Sequence, residues 1–327
     1  MTVPPPALLP DGGERGLITA DLRGTLRATL HAWDSLIDVA ESVDMSAPTR
    51  KDGRTAARVL VVVGTWPESR SCEQMRSDAL AGRRTAEPLD IVEARVLDAR
   101  LSSSRDEILD ALRRARDAIE EWSTSPDVSD EALLPVGGPL GVVPLGTLVC
   151  ASAFQCAVAA LDLEPAGPRA PQNLVEDGLR ALVDVVGAVG AGQHAEIALI
   201  VGSADDGPAP IGTGAAHGDW RTTELDGASA AQGPALIGSA RTLVDVAAGR
   251  ASVLSAYARG DLRVRDVDGL LDVARALAAA PGLPGTEGLR SALAAYGAAR
   301  GLAGGASDAA RSAAASLRGW WSRGSGP

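Results

Sequence analysis

The stretch Thr242–Leu277, TLVDVAAGRASVLSAYARGDLRVRDVDGLLDVARAL, decides the reading of this chain. Leu243, Val246 and Ala247 recur at helical spacing in its first part, and Val253, Leu254 and Tyr257 do so in its second. Arg259-Gly260-Asp261 breaks the period. Gly260 suits the residue just past a helix end, where a positive φ strains any side chain. Leu262–Arg265 alternates as a short edge strand. Asp268–Leu277 restarts a helix with Leu270, Leu271, Ala274 and Leu277 inward, and Asp266 or Asp268 can cap it.

Outward from this stretch, Leu174–Val189 has the apolar spacing of an amphipathic helix. Glu196–Val201 alternates through Ile197, Leu199 and Val201 as a strand. Residues 205–210 form a turn cluster. Ile211–Thr213, Trp220–Leu225 and Ala235–Ser239 are short strand candidates. A helix, a run of strands and a helix–strand–helix ending make an α+β unit. The phrases LIGSARTLVDVAAGR, GDLRVR and DGLL resemble the C-terminal half of a sterol-carrier-protein-2-like domain, over residues 174–280. The resemblance implies helices covering a small sheet, with an apolar tunnel that binds fatty acyl or sterol-like molecules without chemistry. It makes Trp220, Leu236, Leu243, Val246, Leu254 and Tyr257 the candidate pocket residues.

The N-terminal half reads as helices. Leu26, Leu30, Trp33, Ile37 and Ala40 form the buried seam of a helix over Leu17–Val43. Thr55 caps Ala56–Val63, an apolar run that is a buried strand or a buried helix on periodicity alone. Residues 68–104 are polar and weakly periodic, so irregular structure is expected, with one helix near Ile91–Ala99. Asp106–Trp122 is a helix with Ile108, Leu112, Ala115, Ile119 and Trp122 on one face. Leu134–Pro144, rich in proline and glycine, is expected to be a loop. Leu145–Leu163 is an apolar helix. Four helices joined in this way suggest an up-and-down bundle.

Two phrases, LIDVAESVDMSAPTR…GRTAARVLVVVGTW and PLGTLVCASAFQCAVAALDL, resemble the N-terminal domain of the mycothiol-dependent maleylpyruvate isomerase family, a DinB-like four-helix bundle. The order of bundle and sterol-carrier-like domain also recurs in that family, and the resemblance makes Ala56–Val63 helical. The expected architecture is therefore α+β: a disordered leader (1–15), a DinB-like bundle (16–165), a linker (166–173), a sterol-carrier-like domain (174–284) and a basic tail (285–327).

The resembled family holds a divalent metal with a His on the second helix and a Glu-x-x-x-His on the fourth. The pattern places Val62, Gln155 and Ala159 at those positions. Neither Val nor Ala can coordinate, and a Gln amide is a poor ligand for a transition metal. No metal and no cofactor are expected on this reading. His31, Asp34 and Asp38 share a face of the first helix and read as a solvated polar surface. The runs Gly187-Ala-Val-Gly190-Ala-Gly192 and Gly212-x-Gly214 have the wrong spacing for a phosphate-binding loop and are expected in turns. Cys156 reads as a small core residue.

A net charge of −11 argues against nucleic-acid binding. Cys72, Cys150 and Cys156 form no C-x-x-C, which suggests reduced thiols in the cytoplasm. The first residues lack the basic and apolar regions of a signal peptide, and no 18-residue window is uninterruptedly apolar. The tail from Gly285 has five arginines against Glu287 and Asp308 and ends near Trp320-Trp321, which suits a membrane surface or a partner groove. The expected function is non-enzymatic binding of an apolar small molecule, with the bundle as a docking or scaffolding module. The alternatives are a thiol-dependent isomerase or transferase, and a pure protein-interaction role. Nothing in the sequence fixes an oligomeric state.

Overall fold

The structure is a computed structural model that describes residues 4–85, 87–138, 141–202 and 209–278. The tail, with Trp320 and Trp321, lies outside the described residues, as does most of the turn expected at 205–210. The fold is α+β. Its first part is helical: α1 (Leu17–Ser42), α2 (Ala56–Val63), α3 (Cys72–Leu80), α4 (Leu89–Arg100), α5 (Arg105–Ser123), α6 (Val128–Ala132), α7 (Leu145–Cys150) and α8 (Ser152–Leu163). The ambiguous apolar run is α2, a helix. Two expectations are corrected here. Residues 72–80 are helical, because Ser71 accepts a hydrogen bond from the Gln74 N–H and caps α3. The proline- and glycine-rich stretch is not a plain loop, since β1 (Pro135–Gly138) and β2 (Gly141–Pro144) pair antiparallel.

The helices meet in one core containing Leu26, Trp33, Leu36, Leu60, Ile108, Leu112, Ile119, Trp122 and Leu161. One stretch among the described residues, Leu145–Ala166, is long and apolar enough to cross a membrane, and 67% of it is buried inside the protein.

The second part begins with α9 (Gln172–Gly192), followed by β3 (Ile197–Gly202), β4 (Ile211–Ala216), β5 (Asp219–Glu224), α10 (Gly227–Ala230), β6 (Ala235–Gly238), α11 (Ala240–Ala247), α12 (Val253–Arg259), β7 (Leu262–Arg265) and α13 (Val267–Ala278). The five-stranded sheet runs β5-β4-β3-β6-β7, and β3–β6 is its parallel pair. The stretch that decided the reading is thus α11, α12, the edge strand β7 and α13. Gly260 ends α12 at φ +80°, and Asp266 accepts from the Gly269 N–H at the start of α13. The buried face of α13 is rotated from expectation: Gly269, Val273 and Ala276 are buried, with Leu270 and Leu277 packed beside them.

Helix α9 serves both cores. Leu174, Val175 and Ala181 pack in the bundle, and Val183, Val186, Ala188 and Ala191 pack under the sheet. The glycines expected in a turn lie inside this helix, where they allow close approach. A Cβ on Gly187 would sit 2.2 Å from Thr213 Oγ1, and one on Gly190 would sit 2.4 Å from Ile197 Cδ1. The Gly212-x-Gly214 pair lies in strand β4, also not in a turn.

Three arginine–carboxylate pairs join the parts. Arg250 grips Asp162 through bonds of 2.8 and 2.6 Å. Arg241 grips Glu164 at 2.6 and 2.7 Å, and Arg50 reaches Asp245 at 2.8 Å. Burial pushes the Glu164 carboxyl up, but its bonds from Arg241 and the Ala170 N–H outweigh this and hold it below its usual range. Helix α11 lies in this seam, with Val244 in the bundle core and Leu243 in the sheet core.

The leader is also corrected. Its described residues pack on the sheet, and Leu8 is fully buried against Ala198, Ile200, Leu225 and Ala235.

Candidate cleft in the helical bundle

The turn after α2 opens a cleft. Gly64 ends α2, and the Thr65 N–H bonds to the Ala111 carbonyl of α5 at 3.0 Å. A Cβ on Gly64 would meet Ala111 Cβ at 2.9 Å, so the turn can lie flat on α5 only with glycine there. Trp66 then anchors the loop by donating to the Val61 carbonyl at 2.7 Å. The Arg100 guanidinium stacks 5.1 Å from the Trp66 ring. These contacts fix residues 65–70 as one wall of a cleft of about 630 Å³. Its other walls come from α3, α4, α5, α7 and α8.

The floor is apolar, formed by Trp33, Val62, Met75, Val92, Ile119 and Leu148. The rim is polar. Arg70 donates to Asp78 at 3.0 and 2.7 Å and also to the Gly137 carbonyl. Arg95 donates to Glu87 at 2.9 and 2.8 Å and to the Glu68 carbonyl. Glu68 is held below the usual carboxylate range by its hydrogen bonds from Arg100. Burial raises Asp78, but Arg83 and Arg70 outweigh it, so Asp78 is also held low. Both rim arginines are already paired with carboxylates, Arg70 with Asp78, which it shares with Arg83, and Arg95 with Glu87. A ligand finds free hydrogen-bonding capacity in neutral groups such as Gln155, Ser152 and Thr65 instead. An apolar floor with a few polar groups is the usual make-up of a small-molecule site.

The cleft contains one sulfur nucleophile candidate, Cys72. Burial, with Glu73 adding to it, pushes its thiol up to about 12. It is a neutral thiol near pH 7, a weak nucleophile and a poor metal ligand. Cys150 and Cys156 are buried and free, and burial raises both thiols as well.

Of the positions matched to metal ligands, Val62 and Gln155 both line the cleft. Ala159, one turn beyond Gln155, is buried at 3% exposure. Two of these three side chains have no donor atom, so they do not fit a transition metal. Among the described residues no group of three or more His, Cys, Asp or Glu is placed to hold a metal ion. His31 lies 3.7 Å from Asp177, and Asp34 pairs with Arg116.

The sheet-side candidates are placed differently. Trp220 and Leu243 are buried in the core between sheet and helices, with Leu236 and Val246 packed against it. Tyr257 is 58% exposed, and the side chain of Leu254 lies outside the described residues. The sequence reading missed the cleft residues of the loop and α3, because residues 68–104 lack a clear period. One signal was present: Ser71-Cys-Glu-Gln74 has the Ser-x-x-Gln form of a capping box.

No family model and no curated protein sequence matches the chain. It is similar to the crystal structure of a mycothiol-dependent maleylpyruvate isomerase, at 14% identity and a TM-score of 0.48, over 78% of this chain and 96% of that one. A histidine-to-alanine mutant of that isomerase matches at 14% identity and 0.48, over 72% and 92%. The position of the cleft corrects the expectation of a non-enzymatic carrier of apolar molecules with its pocket in the sheet unit. The cleft described above lies in the bundle, while Trp220 and Leu243 are buried in the sheet core and Tyr257 is exposed.

Proposed function

We propose that the chain is an isomerase- or transferase-like enzyme whose site is the bundle cleft, acting on a small organic substrate together with a low-molecular-weight thiol. The observation that carries this reading is that Val62 and Gln155 line one cleft with an apolar floor and a polar rim. The floor holds the carbon skeleton, and Gln155 and Ser152 orient its polar ends. Ser152 is itself fixed by accepting from Trp33 Nε1 at 3.0 Å. The reacting thiolate must arrive with the co-substrate, because the cleft's own Cys72 stays protonated. No step is assigned to a metal, since the donor atoms for one are lacking at Val62 and Ala159. The same reading makes the bundle DinB-like and residues 174–278 sterol-carrier-like in fold. The helix–helix–edge strand–helix ending of α11, α12, β7 and α13 supports the latter.

The test is turnover of maleylpyruvate with a small thiol, compared with Val62→Trp. The added indole fills the cleft, and turnover is expected to fall at least about tenfold, roughly 1.4 kcal/mol of lost binding. Stability should change by less than about 1 kcal/mol, because Val62 is only partly buried. No turnover above the uncatalysed rate with any thiol, or equal turnover in the variant, would sink the reading.

A further inference from the structure

Strand β3 separates two apolar faces of the sheet. Ile197, Leu199 and Val201 face α9, whereas Ala198 and Ile200 face outward, where the leader lies. The neighbouring strand β4 reads Ile-Gly-Thr-Gly-Ala-Ala, and its two glycines point to the same outer face. Glycine weakens a strand interior, so two in one inner strand need a reason. A Cβ on Gly214 would sit 2.3 Å from the Leu8 carbonyl oxygen, and one on Gly212 would sit 2.8 Å from Leu8 Cδ2. Pro5 lies over Gly233 in the same way, at 2.9 Å. The missing side chains form a track, and the Pro4–Leu9 segment fills it.

This segment is held apart from the rest of the leader. Its backbone bonds are its own, from Leu8 N–H to the Pro5 carbonyl at 2.8 Å and from Leu9 N–H to the Pro6 carbonyl at 3.3 Å. Residues 11–16 are fastened differently, to the edge strand β5. The Gly16 N–H bonds to the Trp220 carbonyl at 2.9 Å, the Gly13 N–H bonds to Asp219 at 2.9 Å, and Glu14 pairs with Arg221 at 2.9 Å. Between plug and clasp lies Pro10, because Asp11 already pairs with Arg221 and the Gly13 N–H with Asp219.

We propose that the outer face of the sheet is a binding groove for a proline-led, turn-forming peptide ending in leucine, and that the chain's own Pro4–Leu9 occupies it as a strap that lifts ahead of the clasp at Asp11. The strap shields the groove in cis, so a segment of the same chemistry enters only when the strap is off. This inference does not depend on the bundle cleft.

The probe is a fluorescent peptide of residues 1–12, MTVPPPALLPDG, titrated against the full chain and a chain lacking residues 1–10. The truncated chain should bind it at least about tenfold more tightly than the full chain, because a tethered strap competes at an effective concentration in the millimolar range. The same peptide with Leu8→Asp should not bind. Full-length Leu8→Ser keeps the chain length while removing the plug, and it too should bind the native peptide. Equal binding by full and truncated chains overturns the proposal, as does no binding by either variant when folded. If both variants unfold, the segment is part of the core and not an exchangeable strap, and the proposal also falls.

Discussion

Arg250→Ala is expected to lower stability by about 3–5 kcal/mol, the range for leaving a buried ionised partner alone. Asp162 is 2% exposed, and Arg250 grips both of its carboxylate oxygens. Without the guanidinium this carboxylate sits inside the seam between bundle and sheet with its charge uncompensated. At about 2–4 °C per kcal/mol for a chain of this order of size, the melting temperature should fall by roughly 6–20 °C. Arg250→Lys should recover only part of the loss, because an ammonium cannot repeat the two-pronged grip. The double variant Arg250→Met with Asp162→Leu should be more stable than Arg250→Ala, because it removes both charges. Thermal melts of the four proteins check this, and a loss under about 1 kcal/mol in Arg250→Ala would mean that the seam is not held by this pair.

Trp220→Ala is expected to cost about 3–5 kcal/mol, as for other buried tryptophans. The ring is 2% exposed between α9 and the sheet. Its Nε1–H also donates to Asp184 at 3.0 Å, and the Leu17 N–H at the start of α1 donates to the same oxygen at 3.0 Å. Trp220→Phe keeps most of the ring and removes the donor, so about 1–3 kcal/mol should go with the hydrogen bond alone. Burial pushes the Asp184 carboxyl up, against the bonds from Leu17, Thr222 and Trp220. The folded protein thus holds this proton to higher pH than the unfolded chain. The stability contributed by Asp184 is fully present below the unfolded value near 3.8 and is lost as pH rises through the raised folded value. Denaturant melts across the mildly acidic range should show a downward slope that Asp184→Asn removes and Trp220→Phe extends to higher pH. An identical slope in Asp184→Asn would contradict this assignment.

The sequence made some of this fold legible and hid the rest for physical reasons. Helices α1 and α5 declared themselves because one face of each is buried, so their period is intact. The α11–α13 stretch was legible from period and punctuation, with Gly260 and Asp266 in the expected roles. Strand β4 was read too short, since Gly212 and Gly214 stand where side chains would show alternation. Their absence answers to Leu8, some two hundred residues away in sequence, which no local pattern records. Helix α3 was missed because CEQMRSDAL has Cys72 and Ala79 as its buried residues and polar groups elsewhere. The cleft was half legible. Val62 and Gln155 were singled out by resemblance, but the loop from Thr65 to Arg70 that closes it depends on Gly64 packing on α5 and Trp66 bonding back to α2. The seam through Arg250 and Asp162 was not legible, because both residues look like ordinary surface charges until the two parts meet.

The central claim is that the bundle cleft, and not the sheet unit, takes a small molecule. Amide and methyl chemical-shift mapping of the full chain during titration with maleylpyruvate and a small thiol tests it most directly. The account predicts saturable shifts at Val62, Met75, Val92 and Gln155, absent in Val62→Trp, with the resonances of β6 and α11 unmoved. Shifts confined to Leu236, Leu243 and Val246, or no shifts at all, would contradict it.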